Sequence, residues 1–135
     1  MISYLLDTSA LWHLFRTPGE TRRWAGEIAE GTFHVCEVTR TEFLFSAKGS
    51  AHRDELDDAL SRMCGPAAVP KNAWRWVSTA QYKLTQYGQH RSAGPIDLLV
   101  CATAVHHGQT VLHVDSDFAT VARIVTDVEQ RDVRR

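Results

Sequence analysis

Two short apolar runs in this chain each end directly on an aspartate: Ile2 to Leu6 gives way to Asp7, and Thr110 to Val114 gives way to Asp115. Runs this short, apolar and bounded by polar residues suit buried strands better than helices. Phe33 to Cys36 has the same character, Ala67 to Val69 is a shorter candidate, and Ile124 to Val128 offers a last strand. Longer stretches with helical spacing lie between them. Thr8 to Phe15 puts Leu11, Leu14 and Phe15 on one side, and a second helix is expected from Glu20 to Glu30, stopped by Gly31. A third runs from about Thr39 to Ala47, and His52 to Met63 carries Leu56, Ala59, Leu60 and Met63 at core spacing. Pro70 precedes a long helix to about Tyr87, and residues 88–94 form a polar loop. Pro95 stands where the first turn of a helix tolerates it, and Gly108 ends that helix at His107. Ser116 to about Arg123 is the last helix. Strands that alternate with helices in this way imply an α/β sandwich with a mainly parallel sheet, and 135 residues suit one domain spanning 1–135.

In a parallel sheet, ligands bind beyond the carboxyl ends of the strands, which is where Asp7 and Asp115 fall. Two more acids stand beside apolar helix segments: Glu42 before Phe43-Leu44-Phe45, and Asp97 among Ile96, Leu98, Leu99 and Val100. Each has an ordinary structural explanation. Asp7-Thr8-Ser9 reads as a helix N-cap, and Thr39-x-x-Glu42 fits a capping box. Asp97 suits the dipole of a first turn, and Asp115-Ser116-Asp117 suits a turn into a helix. What these explanations leave out is the shared location. Carboxylates gathered at one sheet edge repel one another and are costly to bury, so a divalent cation is their natural partner. An all-oxygen set favours Mg²⁺, with Mn²⁺ as a substitute, over zinc.

The rest of the composition sets bounds. Cys36, Cys64 and Cys101 are odd in number and far apart, which argues against a disulfide framework and for a reducing compartment. No apolar stretch approaches the roughly 18 residues of a membrane span, and the start lacks a basic leader, so a cytoplasmic location away from membranes is expected. The net charge of −1 supplies no strong field to attract nucleic acid, so local patches or a metal would have to do so.

The acids sit in segments that resemble the PIN-domain ribonucleases of the VapC toxin type. Leu6-Asp7-Thr8-Ser9-Ala10-Leu11 looks like their opening motif, and Val38-Thr39-Arg40-Thr41-Glu42-Phe43 resembles the second. Residues 95–104, Pro-Ile-Asp-Leu-Leu-Val-Cys-Ala-Thr-Ala, are similar to the third, and His113-Val114-Asp115-Ser116-Asp117-Phe118 to the fourth. The motifs follow family order over nearly the whole chain; the pair Cys36-Glu37 departs from the pattern. The resemblance implies a PIN-like three-layer α/β/α sandwich with a central sheet of four to five strands. It implies a catalytic pocket of Asp7, Glu42, Asp97 and Asp115, with metal held by Asp7, Asp97 and Asp115. Thr8, Ser9 and Asp117 are secondary candidates, the hydroxyls bonding a ligand carboxylate or a metal-bound water. The implied reaction is metal-dependent endonucleolytic hydrolysis of RNA leaving a 5′-phosphate and a 3′-hydroxyl, with Asp97 or Asp115 as proton acceptor. The implied partners are RNA, a VapB-like antitoxin whose C-terminal segment fills the acidic groove, and a second copy of the chain.

Among the basic residues, Arg91 is the one whose loop leads towards Asp97, and it is the RNA-binding candidate. Trp12, Trp24, Trp74 and Trp76 are read as packing residues before base-stacking ones, with Trp12 and Phe15 as partner contacts by resemblance. His106, His107 and His113 do not have the spacing of a zinc site, and the tail from Arg131 to Arg135 is expected to fray. The main competing function is a non-catalytic PIN-fold binding or scaffold protein whose acids are caps. An aspartyl-nucleophile phosphatase of the haloacid-dehalogenase kind would need an aspartate where Ser9 stands. A structure-specific DNA nuclease would need helical insertions for which this length leaves no room.

Overall fold

The computed structural model describes every residue from Met1 to Arg135. Its elements, in order, are β1 (Tyr4–Leu6), α1 (Thr8–Arg16), α2 (Glu20–Arg23), α3 (Ala25–Ala29), β2 (Phe33–Val35), α4 (Glu37–Phe45) and α5 (Ser50–Met63). They continue with β3 (Gly65–Pro66), α6 (Ala73–Gln86), α7 (Pro95–His107), β4 (Thr110–His113), α8 (Ser116–Ile124) and β5 (Glu129–Asp132). The five strands form one parallel sheet in the order β3-β2-β1-β4-β5. From β1 the chain winds first towards β2 and β3, then returns to place β4 on the other side of β1. The β1/β4 boundary is therefore the switch point at which a parallel sheet opens a crevice beyond its strand ends.

Side-chain alternation divides the interior between two faces. In β1, Leu5 joins a cluster with residues of α6, α7 and α8, whereas Tyr4 and Leu6 join one with residues of α1, α4 and α5. In β4, Val111 and Leu112 divide in the same way. Helices cover both faces, and burying a side chain such as Leu5 or Leu112 contributes about 1.5–3 kcal/mol. Every residue of α7 from Leu98 to Ala104 is buried, so this helix packs on all sides. Gly94 caps its start, Pro95 opens it, and Gly108 (φ 66°) closes it in the left-handed region that favours glycine.

Five boundaries differ from the sequence reading. The helix expected from Glu20 to Glu30 breaks at Trp24, whose indole is 2% exposed and donates from Nε1 to the Val133 carbonyl at 3.2 Å. Burying that ring overrides continuous helix propensity. The third helix begins at Glu37, not near Thr39, because Cys36 is its N-cap. The strand expected at Ala67 to Val69 is instead the two-residue β3, paired with His34 and Val35. The run Ile124 to Val128 ends α8 and packs as a turn, Val125 and Val128 being buried there, while the last strand is the polar edge Glu129–Asp132. The tail does not fray. Val133 is fully buried, its amide donates to the His113 carbonyl at 2.8 Å, and Arg131 lies 4.7 Å over the Trp24 ring.

Candidate active site

Asp7 directly follows β1 and is the N-cap of α1, its Oδ2 accepting from the Ser9 amide at 3.1 Å and the Ser9 hydroxyl at 2.8 Å. The same hydroxyl accepts from the Val114 amide at 3.0 Å, so Ser9 ties the end of β1 to the end of β4. The Asp7 amide donates to the Leu112 carbonyl at 3.0 Å, strengthening that junction. Asp115, just past β4, is the N-cap of α8 and accepts from the Asp117 amide at 2.9 Å through Oδ1. The cap explanation for both aspartates is thus correct, but incomplete. Capping occupies Oδ2 of Asp7 and Oδ1 of Asp115 and leaves the second oxygen of each outside the cap.

Glu42 is a different case. Because α4 begins at Glu37, Thr39 lies inside the helix, 1% exposed, with its hydroxyl 3.6 Å from Cys36 Sγ. The capping box anticipated from Thr39-x-x-Glu42 does not exist. Glu42 stands exposed in the second turn, and its Oε1 accepts a hydrogen bond from the Thr8 hydroxyl. Asp97 lies in the first turn of α7, half-buried, holding the Gly94 amide through Oδ2 at a long 3.4 Å.

Electrostatics ties these residues together. Burial, then the charge of Asp7, and to a smaller extent those of Asp115 and Asp117, push the Asp97 carboxyl up to about 6. Burial also raises Asp7, partly offset by the Ser9 bonds, with Glu42 adding a small upward push. Burial and neighbouring Asp115 raise Asp117. Acids separated by up to 110 residues in sequence therefore share one field at the β1/β4 crevice.

No three His, Cys, Asp or Glu side chains form a closed metal cage. The chemistry of the set nevertheless fits a hard divalent ion: all donors are carboxylate oxygens, several are unpaired, and their mutual repulsion is of the kind a cation relieves. Asp7 and Asp115 are fixed by their caps. Asp97 is held by one long bond, and Glu42 is exposed with one oxygen bonded by the Thr8 hydroxyl. His106 and His107 stack edge-on at the end of α7, away from His113 in β4.

Arg91 is exposed in the loop before α7 and makes no ion pair or hydrogen bond. The tryptophans divide: Trp24 is core, Trp12 packs 4.5 Å from the Phe43 ring, Trp76 lies against the core, and Trp74 is 58% exposed. Sequence reasoning missed an apolar groove of about 500 Å³ beside Glu42, lined by Val38, Thr41, Phe45 and Ile96 among others. Phe45, 90% exposed, is its most prominent wall. Helical spacing held the signal, since Phe45 lies about 200° around the helix from buried Phe43.

The family model for the PIN domain matches residues 4–124. The chain belongs to the PIN-domain family. Among the relatives of this PIN chain is Ribonuclease VapC2 of Mycobacterium tuberculosis, 36% identical over 134 residues, covering 98% of this chain and 94% of that protein. Ribonuclease VapC6 of the same organism is 32% identical over 117 residues, covering 87% and 92%. These relatives place it with the VapC type. Its fold also superposes on VapBC2 from Rickettsia felis bound to a promoter DNA fragment, with a TM-score of 0.78 at 16% identity over 98% of both chains. For VapBC-1 from nontypeable Haemophilus influenzae the TM-score is 0.77 at 15% identity over 100% of both. At such identities these two structures speak for the fold alone, and the α/β/α sandwich with a five-stranded parallel sheet is the expected one.

Proposed function

We propose that this PIN domain, taken as one unit over residues 1–135, is a metal-dependent endoribonuclease and the toxin of a type II toxin–antitoxin pair. The observation that carries this reading is the shared field of Asp7, Asp97, Asp115 and Asp117 at the switch point, with Glu42 joined to it through Asp7 and Thr8. The relatives named as ribonucleases support RNA as the substrate.

In this reading Asp7, Asp97 and Asp115 hold Mg²⁺ or Mn²⁺, which when bound neutralises charge on the scissile phosphate and makes a water more acidic. The chain's own residues do the rest. Ser9 holds Asp7 through Oδ2, and the α8 amide of Asp117 holds Asp115 through Oδ1, so each carboxylate is oriented before an ion arrives. Thr8 restrains Glu42, which orients water at the exposed rim. Arg91 takes an RNA phosphate beside the first turn of α7.

The VapBC complexes support a VapB-like antitoxin as the partner, and a homodimer is the assembly proposed with it. The groove formed by Val38, Phe45 and Ile96 beside Glu42 suits the apolar side chains of an antitoxin segment. No helix is long and apolar enough to cross a membrane, and the cytoplasm is the proposed location. The test is incubation of antitoxin-free protein with total bacterial RNA, with Mg²⁺, with Mn²⁺ and with EDTA, beside Asp97→Asn. Discrete fragments that require metal and vanish in the variant are expected. Intact RNA under every condition would return the acids to the role of caps in a binding protein.

A further inference from the structure

The fourth motif carries a histidine, His113, whose ring belongs to neither the caps nor the acids. It is 2% exposed at the end of β4, with its ring centroid 5.1 Å from that of Phe118 at a 33° tilt. The Asp115 amide donates to His113 Nδ1 at 3.0 Å. An amide cannot accept, so Nδ1 must be the unprotonated nitrogen. The proton therefore sits on Nε2, where it is donated to Gln130 Oε1 of the neighbouring strand β5 at 2.6 Å. The two bonds fix one neutral tautomer, and Phe118 fixes the plane of the ring.

This arrangement has a consequence for Asp115. Its side chain caps α8 through Oδ1, and its own amide has His113 Nδ1 as its hydrogen-bond acceptor. With the amide bonded to His113 and Oδ1 bonded to the Asp117 amide, both the backbone of Asp115 and one oxygen of its carboxylate are held. At the other strand end Ser9 grips Asp7 through the side chain instead.

We propose that His113 is a positioning residue for the acidic site, orienting Asp115 through its backbone amide as one link in a chain Gln130–His113–Asp115. The proposal rests on the reading of Asp115 as a metal-holding carboxylate. It makes the polar edge strand β5, remote in sequence and outside all four motifs, a contributor to the site.

Three variants test it, each checked for an unchanged melting temperature. His113→Leu removes the acceptor while keeping apolar bulk. His113→Asn keeps an acceptor oxygen near the position of Nδ1. Gln130→Leu removes the group that selects the tautomer. RNA cleavage with Mn²⁺ should show kcat lowered about 10- to 100-fold in His113→Leu, the range seen when a group behind a metal ligand is lost. KM should stay within about twofold, and His113→Asn should recover most of the loss. Gln130→Leu should fall between them. In metal-free protein, the Asp115 amide proton resonance should move upfield in His113→Leu and return towards wild type in His113→Asn. Wild-type kcat and an unmoved Asp115 amide in His113→Leu would overturn the proposal while leaving the nuclease reading intact. The proposal also fails if His113→Asn is no better than His113→Leu. Should His113→Leu fail to fold, Gln130→Leu and His113→Asn carry the same comparison. Wild-type protein that neither binds Mn²⁺ nor cleaves RNA would defeat the nuclease reading, and this proposal with it.

Discussion

The ends of β1 and β4 are built to one plan and supported in different ways. Each strand is followed within two residues by an aspartate that caps the next helix with one oxygen and keeps the other outside the cap. Asp7 is 8% exposed and receives two bonds from Ser9, whereas Asp115 is half-buried and receives one from the helix. Asp7 also lies at the centre of the sheet, adjoining β2 and β4 through its strand, while β4 adjoins the edge strand β5. The difference teaches that a cap and a ligand are not competing descriptions of a carboxylate. The cap fixes the direction in which the remaining oxygen acts, and the degree of burial decides how much rests on it.

If that is right, the two aspartates should fail unequally. Asp7→Asn keeps a cap acceptor but loses the buried carboxylate whose charge acts most on Asp97, and should lower kcat by about a thousandfold, the scale of losing a main electrostatic group in a site. Asp115→Asn, at a wetter and more adaptable position, should cost about 100-fold, the low end of the same scale. Single-turnover RNA cleavage at saturating Mn²⁺ checks both. Equal losses would break the comparison, and a larger loss at Asp115 would reverse it.

The support can be tested separately from the charge. Ser9→Ala removes the hydroxyl that donates to Asp7 and accepts from Val114, leaving a strand-end amide without its partner. Chemical denaturation should show a loss of about 1–3 kcal/mol, with a smaller effect on cleavage than either aspartate variant. A variant as stable as wild type would mean that the β1/β4 junction does not depend on this bridge.

Much of this was legible in the sequence because each device is local. A strand ending on Asp7 and a helix opening with Pro95 before Asp97 are short-range patterns, and the structure brings those residues to one edge. What escaped depended on pairing between distant segments. The break at Trp24 follows from its bond to Val133, 109 residues away. The polar strand Glu129–Asp132 has no apolar alternation to announce it and exists because β4 offers an open edge. Gln130 could not be linked to His113 without that register. The capping box at Glu42 was a false match of a local motif: Thr39 is buried inside a helix that had already begun at Cys36. Phe45 was hidden by the apolar run it ends, although its angular position set it apart from Phe43.

The smallest effect concerns the charge the two strand ends share through Asp97. Its carboxyl is raised to about 6 in the folded chain, above the ordinary aspartate value of 3.8. Between those values the folded chain retains a proton that the unfolded chain has released, so metal-free stability falls as pH rises through that window. Below it both states are protonated and the penalty is absent; above it the penalty is complete. Asp97 is only half-buried, so solvent screening reduces the effect to about 1 kcal/mol, or a few degrees in melting temperature. Asp97→Asn should therefore melt higher than wild type at pH 7.5 in EDTA, with the gap closing near pH 4. Mn²⁺ should raise the melting temperature of wild type at pH 7.5 by binding the folded state, and raise that of the variant less. Because Asp7 contributes more than Asp115 to the raised value, Asp7→Asn should flatten the wild-type pH slope more than Asp115→Asn. Equal flattening would show that Asp97 does not distinguish the two strand ends.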